Sequence, residues 1–377
     1  MSVNNVGLIT YHSAYNFGSM LQAYATQTRI RELGYDCRIL NYRMSEQKYY
    51  YGKSIRTRYG LKTTVKDLLQ LFHYSDRKKR AEGYENFINT YLSMTEEFED
   101  PADFARISKR FEILVSGSDQ IWNKHSNELH RVDWKYMDPY VLRGFEGKKI
   151  SYASSIGNMV GKTEIEMLID RIRDFAHISF REKETAEKFS KLLNREITDV
   201  LDPTFLLSKI EWIKYLGLTK DSEKYILYYS LDGIKGYKEK LLILEQLAQK
   251  KGMKIRVVTP LATVPYNSKY IEFHPEYSTL EIINAIYNAS MIITDSYHGS
   301  IISINLNKDL YSICGRNASD FRKTDILNRL GLSNRIVTSI EDCLNMSNKS
   351  IDYDEVNQKR NALEVKSIAY LKNSLIG

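Results

Sequence analysis

Short apolar runs return along this chain, each followed by a loop of small and polar residues and then by helix formers, and that alternation allows few architectures. The first run, Val6-Gly7-Leu8-Ile9-Thr10, reads as a buried strand; residues 11–19 form the loop, 20–33 a helix stopped at Gly34, and 37–42 the next strand. A strand, helix and strand in this order seed a parallel sheet covered by helices. Further strands are expected at 111–115, 149–153, 177–180 and 199–201, with a helix at 183–193. After a polar segment at 207–223 the alternation restarts, with strands at 225–229, 254–258, 291–294 and 310–313 and helices at 236–251, 279–289 and 300–306. The predicted fold class is therefore α/β, with two Rossmann-like doubly wound domains facing a cleft. The domains are expected at 1–207, carrying a basic helical insertion at about 43–110, and at 208–353, with a closing helix over 354–377.

A length of 377 residues suits two domains of ordinary size, and 43% hydrophobic against 27% charged residues places the chain among globular proteins. The balance of 54 basic and 47 acidic side chains leaves a charge of +7, too small an excess to make nucleic acid the expected partner. Three cysteines, Cys37, Cys314 and Cys343, form no C-x-x-C pair and suit a reducing compartment. No run approaches the roughly 18 apolar residues of a spanning helix, and residues 1–5 lack the features of a signal peptide. The expected location is the cytoplasm, with peripheral attachment to the inner face of the plasma membrane through the insertion. There Lys48 to Arg58 is rich in Tyr, Lys and Arg, and Arg77-Lys78-Lys79-Arg80 forms a basic run. Such a run is read either as a solvated helix face or as a surface for anionic lipid or a lipid-diphosphate acceptor.

Four loops fall at the carboxyl ends of expected strands, where open α/β sheets bind ligands. The first, His12-Ser13-Ala14-Tyr15-Asn16-Phe17-Gly18-Ser19, leads into a helix whose N–H groups suit an anion or a sugar hydroxyl. The second, Ser116-Gly117-Ser118-Asp119-Gln120-Ile121-Trp122-Asn123, offers Asp119 as a base toward a hydroxyl and Trp122 as a stacking or core residue. The third joins Ser151-Tyr152-Ala153-Ser154-Ser155-Ile156-Gly157 to Phe180-Arg181-Glu182-Lys183, where Arg181 reads as an anion ligand or the partner of Glu184. The fourth, Thr294-Asp295-Ser296-Tyr297-His298-Gly299-Ser300, sets a titratable imidazole at a strand-to-helix turn.

Taken in order, N-F-G at Asn16 to Gly18, G-S-D-Q-I-W-N, S-Y-A-S-S-I-G, F-R-E-K-E-T, L-D-P-T-F at Leu201 to Phe205 and T-D-S-Y-H-G-S, the chain resembles the polysaccharide pyruvyl transferase family from about residue 6 to 313. The resemblance implies a fold like the GT-B glycosyltransferases. It also implies transfer of a pyruvyl group from phosphoenolpyruvate to a sugar as a ketal, with release of phosphate and with no cofactor or metal. The acceptor would be a sugar of a polysaccharide precursor, free or lipid-diphosphate-linked. By position, Arg181 and His298 match residues taken to bind the donor, with Ser296, Gly299 and Ser300 at the same helix start. His298 and Asp119 are then the catalytic candidates, and Asn16, Gly18, Ser118, Asp119, Gln120 and Ser155 the acceptor side. In this reading the first domain holds the acceptor and the second the donor. The chain departs from relatives that read R-x-H-G, having Ser296 in place of the arginine, so another cation or backbone N–H groups must help neutralise the donor. Two alternatives stay open: a nucleotide-sugar-dependent glycosyltransferase on the same architecture, and a non-catalytic carbohydrate-binding protein.

Overall fold

The computed structural model describes residues 5–52, 55–69, 73–231, 236–259, 266–315, 320–345 and 349–376. Its strands are β1 (Asn5–Ile9), β2 (Asp36–Ile39), β3 (Ile113–Ser116), β4 (Lys148–Ser151), β5 (Ser179–Phe180), β6 (Thr198–Asp199), β7 (Tyr225–Tyr229), β8 (Lys254–Val258), β9 (Ile271–Phe273), β10 (Met291–Thr294), β11 (Leu310–Ile313) and β12 (Ile336–Val337). Two compact units emerge, one comprising Met1–Gly52, Phe87–Leu207 and Asn361–Gly377, the other Lys53–Asn86 and Ser208–Arg360. The break after residue 207 falls at the polar segment. The insertion, however, is divided: residues 53–86 belong with the second unit, and most of the last helix, Tyr353–Ile376, belongs with the first.

In the first unit the order β2-β1-β3-β4 is parallel throughout. Single bridges extend it, from Ile39 to Met94 at one edge and from Ile150 to His177 and Ser154 to Phe180 at the other, where β5 pairs with β6. Strand order therefore reverses between β1 and β3, and the loops after these two strands open side by side, the place where such sheets hold ligands. The apolar runs explain the pairing: Val6, Leu8, Ile9, Leu114, Val115 and Ile150 are all fully buried, as befits a sheet covered on both faces. Trp122 lies in this core, its ring edge-on to Phe175 and Phe180 and its N–H bonded to Tyr140 O at 3.0 Å. Of its two readings, core filling holds.

The second unit has the order β12-β11-β10-β7-β8-β9, again all parallel, with its reversal between β7 and β10. The helix Tyr237–Lys251 buries Leu241, Leu244, Leu247 and Ala248, a stripe at helical spacing that packs with Ile226, Tyr228, Ile255 and Val257. The helix Tyr74–Tyr91 docks on this unit through Gly83, where a Cβ would meet Ser278 Oγ at 2.2 Å. Ser278 and Glu281 cap the helix Thr279–Asn288 at that point, with Ser278 N donating to Glu281 Oε2 at 3.0 Å. Only a residue without a side chain lets the basic helix approach so closely.

Candidate functional site

Five of the six sequence motifs meet in the first unit at the carboxyl ends of β1, β3, β4, β5 and β6. Gly117 turns the chain at φ +137, with Tyr152 O only 2.0 Å from where a Cβ would sit, so β3 and β4 can continue side by side into their loops. Asp119 follows at φ +70, a left-handed conformation that Asp tolerates better than most residues. Its Oδ2 accepts from Ser19 Oγ at 3.0 Å and its Oδ1 from Gln120 N at 2.9 Å, while the Arg181 guanidinium stands 3.8 Å away.

Arg181 is the hub of this network. It donates to Asp202 Oδ2 at 2.8 Å and, through Nε, to Glu182 Oε1 at 3.4 Å. Asp202 in turn caps the short helix Pro203–Leu206, accepting from Thr204 N at 3.0 Å, which accounts for the L-D-P-T-F motif: cap, proline at the first helical position, and ion-pair partner in one stretch. The sequence offers Arg181 as a donor ligand. With side-chain exposures of 3% for Arg181, 0% for Asp202, 4% for Glu182 and 14% for Asp119, the guanidinium is instead held by carboxylates, an environment that opposes a dianion. Nor is Glu184 its partner; Glu182, Asp202 and Asp119 are.

The other acceptor-side residues are brought together but do mainly structural work. Asn16 Oδ1 accepts from Gly18 N at 2.9 Å and Ser19 N at 3.4 Å, so these N–H groups serve the cap rather than a ligand. Ser118 is fully buried, its hydroxyl on Ala153 O at 2.6 Å and its N–H on Gln22 Oε1 at 3.1 Å. Ser155 donates to Glu182 Oε1 at 2.7 Å, and Gln120 Oε1 accepts from Asn123 Nδ2 at 2.8 Å. Gln22, which sequence inspection passed over, clamps the loops after β1 and β3: besides Ser118, it reaches Thr10 Oγ1 at 2.7 Å and Ser19 O at 2.9 Å. Gln22 is one of several buried polar residues of the helix Phe17–Glu32, with Ser19, Thr26 and Gln27, so nothing in the sequence singles it out.

In the second unit, the sixth motif occupies the reversal between β7 and β10. Asp295 spans it, accepting from Leu231 N at 2.7 Å and from the Ser230 hydroxyl. Ser296 Oγ caps the helix Tyr297–Asn305 by accepting from Gly299 N at 3.2 Å. A Cβ at Gly299 would meet Thr294 Oγ1 at 2.6 Å. Ser300 lies wholly inside, bonded to Ser296 O at 3.0 Å and paired with Ser312 Oγ at 2.8 Å. Ser296, Gly299 and Ser300 thus build the turn, while His298, 7% exposed and edge-on to Tyr297 at 5.2 Å, is the titratable group beside it.

Cations gather around this turn. Lys323 donates to Asp295 O at 2.7 Å and pairs with Asp320 at 2.7 Å; the Arg322 guanidinium lies 5.5 Å from the Tyr297 ring centre. Arg80, from the basic run, lies 5.7 Å from the Tyr84 ring centre and within electrostatic reach of Tyr229, whose ring lies 3.0 Å from where a Cβ of Gly299 would sit. The run therefore splits: Lys78 and Lys79 face solvent, whereas Arg77 and Arg80 are part-buried on the second unit.

The sequence model of the family described as polysaccharide pyruvyl transferase matches residues 16–313. No curated protein matches the chain. Among solved structures, the chain is similar to Arabidopsis thaliana UGT89C1 complexed with UDP-L-rhamnose, with 12% identity, a TM-score of 0.55 and 98% of each chain covered. It is also similar to a Listeria monocytogenes structure described as a UDP-N-acetylglucosamine 2-epimerase, with 8% identity, a TM-score of 0.50 and 95% of each chain covered. At such identities the likeness shows the fold, two Rossmann-like parallel-sheet units of the GT-B type.

Proposed function

The chain belongs to the polysaccharide pyruvyl transferase family, and from that premise we propose that it moves the pyruvyl group of phosphoenolpyruvate onto two hydroxyls of a sugar in a polysaccharide precursor, forming a ketal and releasing phosphate. The observation that supports this reading most is the turn at Ser296–Ser300, where a helix start, His298 and the cations Arg80 and Arg322 adjoin one strand-order reversal. Phosphoenolpyruvate carries a carboxylate and a phosphate, both of which suit such a setting. Protonation of its methylene carbon by His298 makes C2 electrophilic. One sugar hydroxyl adds at C2, and the second closes the ketal as phosphate leaves with the bonding pair and takes up the proton that this second hydroxyl sheds. On the acceptor side Asp119 takes the hydroxyl proton, and Arg181 orients Asp119 rather than touching the donor.

Incubation with phosphoenolpyruvate and candidate galactosides, free and lipid-linked, is expected to give a pyruvate ketal by mass spectrometry together with free phosphate. The rival reading, a nucleotide-sugar glycosyltransferase, draws on likeness to a protein crystallised with UDP-L-rhamnose. Thermal shift separates the two, since only the ligand bound by the folded state raises the melting temperature. Stabilisation by UDP-sugars and none by phosphoenolpyruvate would overturn the proposal.

Arg80 is proposed to stand in for the arginine that some relatives carry where this chain has Ser296. Arg80→Met keeps much of the stem's packing and removes the charge. Phosphoenolpyruvate affinity is expected to fall by roughly 1.5–3 kcal/mol, the range for hydrogen bonds to charged groups. An unchanged dissociation constant by calorimetric titration would return Arg80 to the role of a packing residue.

A lipid-linked acceptor would bring the protein to a membrane surface. No helix among the described residues is long and apolar enough to cross a membrane. The helix Leu61–Leu69 does present Leu61, Val65 and Leu68 to solvent, 84%, 53% and 46% exposed, at the spacing of one helical face. Together with Lys78 and Lys79 this favours salt-sensitive flotation with anionic vesicles, each basic group contributing about 1 kcal/mol. Binding that ignores salt would refute the electrostatic attachment.

A further inference from the structure

In the first unit a cavity of about 450 Å³ opens at the amino ends of β5 and β6. That size falls within the roughly 300–1,000 Å³ of small-molecule sites. One wall is the edge of the sheet: His177 just precedes β5, Arg195 just precedes β6, and Thr198 begins β6. The other wall is the last helix, from which Lys366, Tyr370, Asn373 and Ser374 face the cavity at helical spacing. Hydrogen bonds dock this helix. Ser367 Oγ accepts from Leu201 N at 2.9 Å, Tyr370 Oη donates to Ser151 O at 3.0 Å, and Leu371 and Leu375 are buried. Because β5 and β6 run parallel, the cavity lies at the opposite end of these strands from Arg181 and Asp202. A ligand held there leaves the loops of the candidate site open.

The charges beside the cavity are out of balance. Arg195 Nη1 donates to Phe175 O at 2.7 Å, but Nη2 is buried with no acceptor, and so is Lys148 Nζ at the start of β4. Neither cation forms an ion pair among the described residues. Burial, then the charges of Lys148 and Arg195, hold the His177 imidazole below its ordinary range, so three basic groups crowd one place. Buried cations are costly without a counter-charge, and buried N–H groups ordinarily find an acceptor. The protein supplies little of either. Lys366 is already paired with Asp199 at 2.5 Å, and Glu196, the one acid lining the cavity among the described residues, is exposed.

We propose that this cavity is a binding site for a hexose phosphate, with the phosphoryl group answering Arg195, His177 and Lys148 and the sugar lying against the last helix. A phosphoryl group matches the planar fork of an arginine and accepts several hydrogen bonds at once. Glu196 opposes a second anionic group and, with the Asn373 amide and the Thr198 hydroxyl, offers partners to sugar hydroxyls. The ring of Tyr370 gives the sugar a face to pack on. Such a ligand is neither donor nor acceptor of the transfer proposed above, and the site stands whether or not the chain makes a ketal.

Calorimetric titration of the full chain with galactose 6-phosphate, inorganic phosphate and galactose tests this. Galactose 6-phosphate is expected to bind, inorganic phosphate at least about 10-fold more weakly, and galactose not measurably. Arg195→Gln removes the charge, and Asn373→Trp fills the cavity from an exposed position of the last helix while leaving every cation in place. Each should weaken galactose 6-phosphate binding at least about 10-fold, with circular dichroism showing the fold intact. Should Arg195→Gln fail to fold, Asn373→Trp decides alone. No binding by wild type, or wild-type affinity in either folded variant, overturns the site. Inorganic phosphate binding as tightly as galactose 6-phosphate overturns the sugar part, and galactose binding as tightly overturns the phosphoryl part.

Discussion

Arg181→Ala is expected to cost about 3–5 kcal/mol of folding stability, the penalty for breaking a buried ion pair from one side. The guanidinium bridges Asp202 and Glu182 at 2.8 and 3.4 Å and faces Asp119 at 3.8 Å, and its removal leaves that buried negative charge without its cation. Asp202 would still cap Thr204, so local helix structure should survive while the junction of the loops after β3 and β5 loosens. Arg181→Lys should fall between, because an ammonium supplies charge but no planar fork that can serve two carboxylates. Urea unfolding followed by circular dichroism reads the difference. A midpoint and slope equal to wild type for Arg181→Ala would show that the network contributes nothing to folding. The expectation also governs how activity in such a variant is read: lost turnover would follow first from a displaced Asp119, so donor titration has to be made on protein shown to be folded.

How far the sequence reaches can be followed through these residues. The strands at Val6–Ile9 and Met291–Thr294 were legible because a parallel sheet covered on both faces needs unbroken apolar runs, and few other elements do. Four loops were legible as candidate ligand loops because they follow such runs. The partners within them were not. Asp202 lies 21 positions from Arg181, and nothing local distinguishes an arginine aimed at a substrate from one aimed at a carboxylate that the fold brings up later. Asn16 shows the same ambiguity at a helix start, where an N–H group looks alike to a capping side chain and to an anion. Short elements such as β9 and β12 escaped because two or three residues carry no period. Arg80 was hidden by its run: Lys78 and Lys79 do face solvent, and only the approach at Gly83 turns one arginine of the four toward Tyr229.

Asp119→Asn is the substitution from which the largest loss of turnover is expected, roughly 10²–10⁴-fold, the contribution of a positioned general base. The change is close to isosteric, and asparagine accepts the left-handed conformation that φ +70 demands, so the loop should keep its path. An amide oxygen can still accept from Ser19 Oγ or Gln120 N, which preserves much of the local geometry and isolates the loss of charge. Donor affinity should stay within about twofold, because Asp119 acts on the acceptor. The charge has a second reader in Glu128, which it helps to hold above the ordinary carboxylate range. Without that charge the Glu128 carboxyl moves back down, so the stability that wild type loses as pH rises from the ordinary carboxylate range to about 7 should become a smaller loss that is complete at lower pH. Single-turnover rates and donor titrations measure the first two quantities, and urea unfolding across the pH range measures the third. Wild-type turnover in this variant would remove Asp119 from the chemistry and leave it as the residue that joins Ser19 to Arg181.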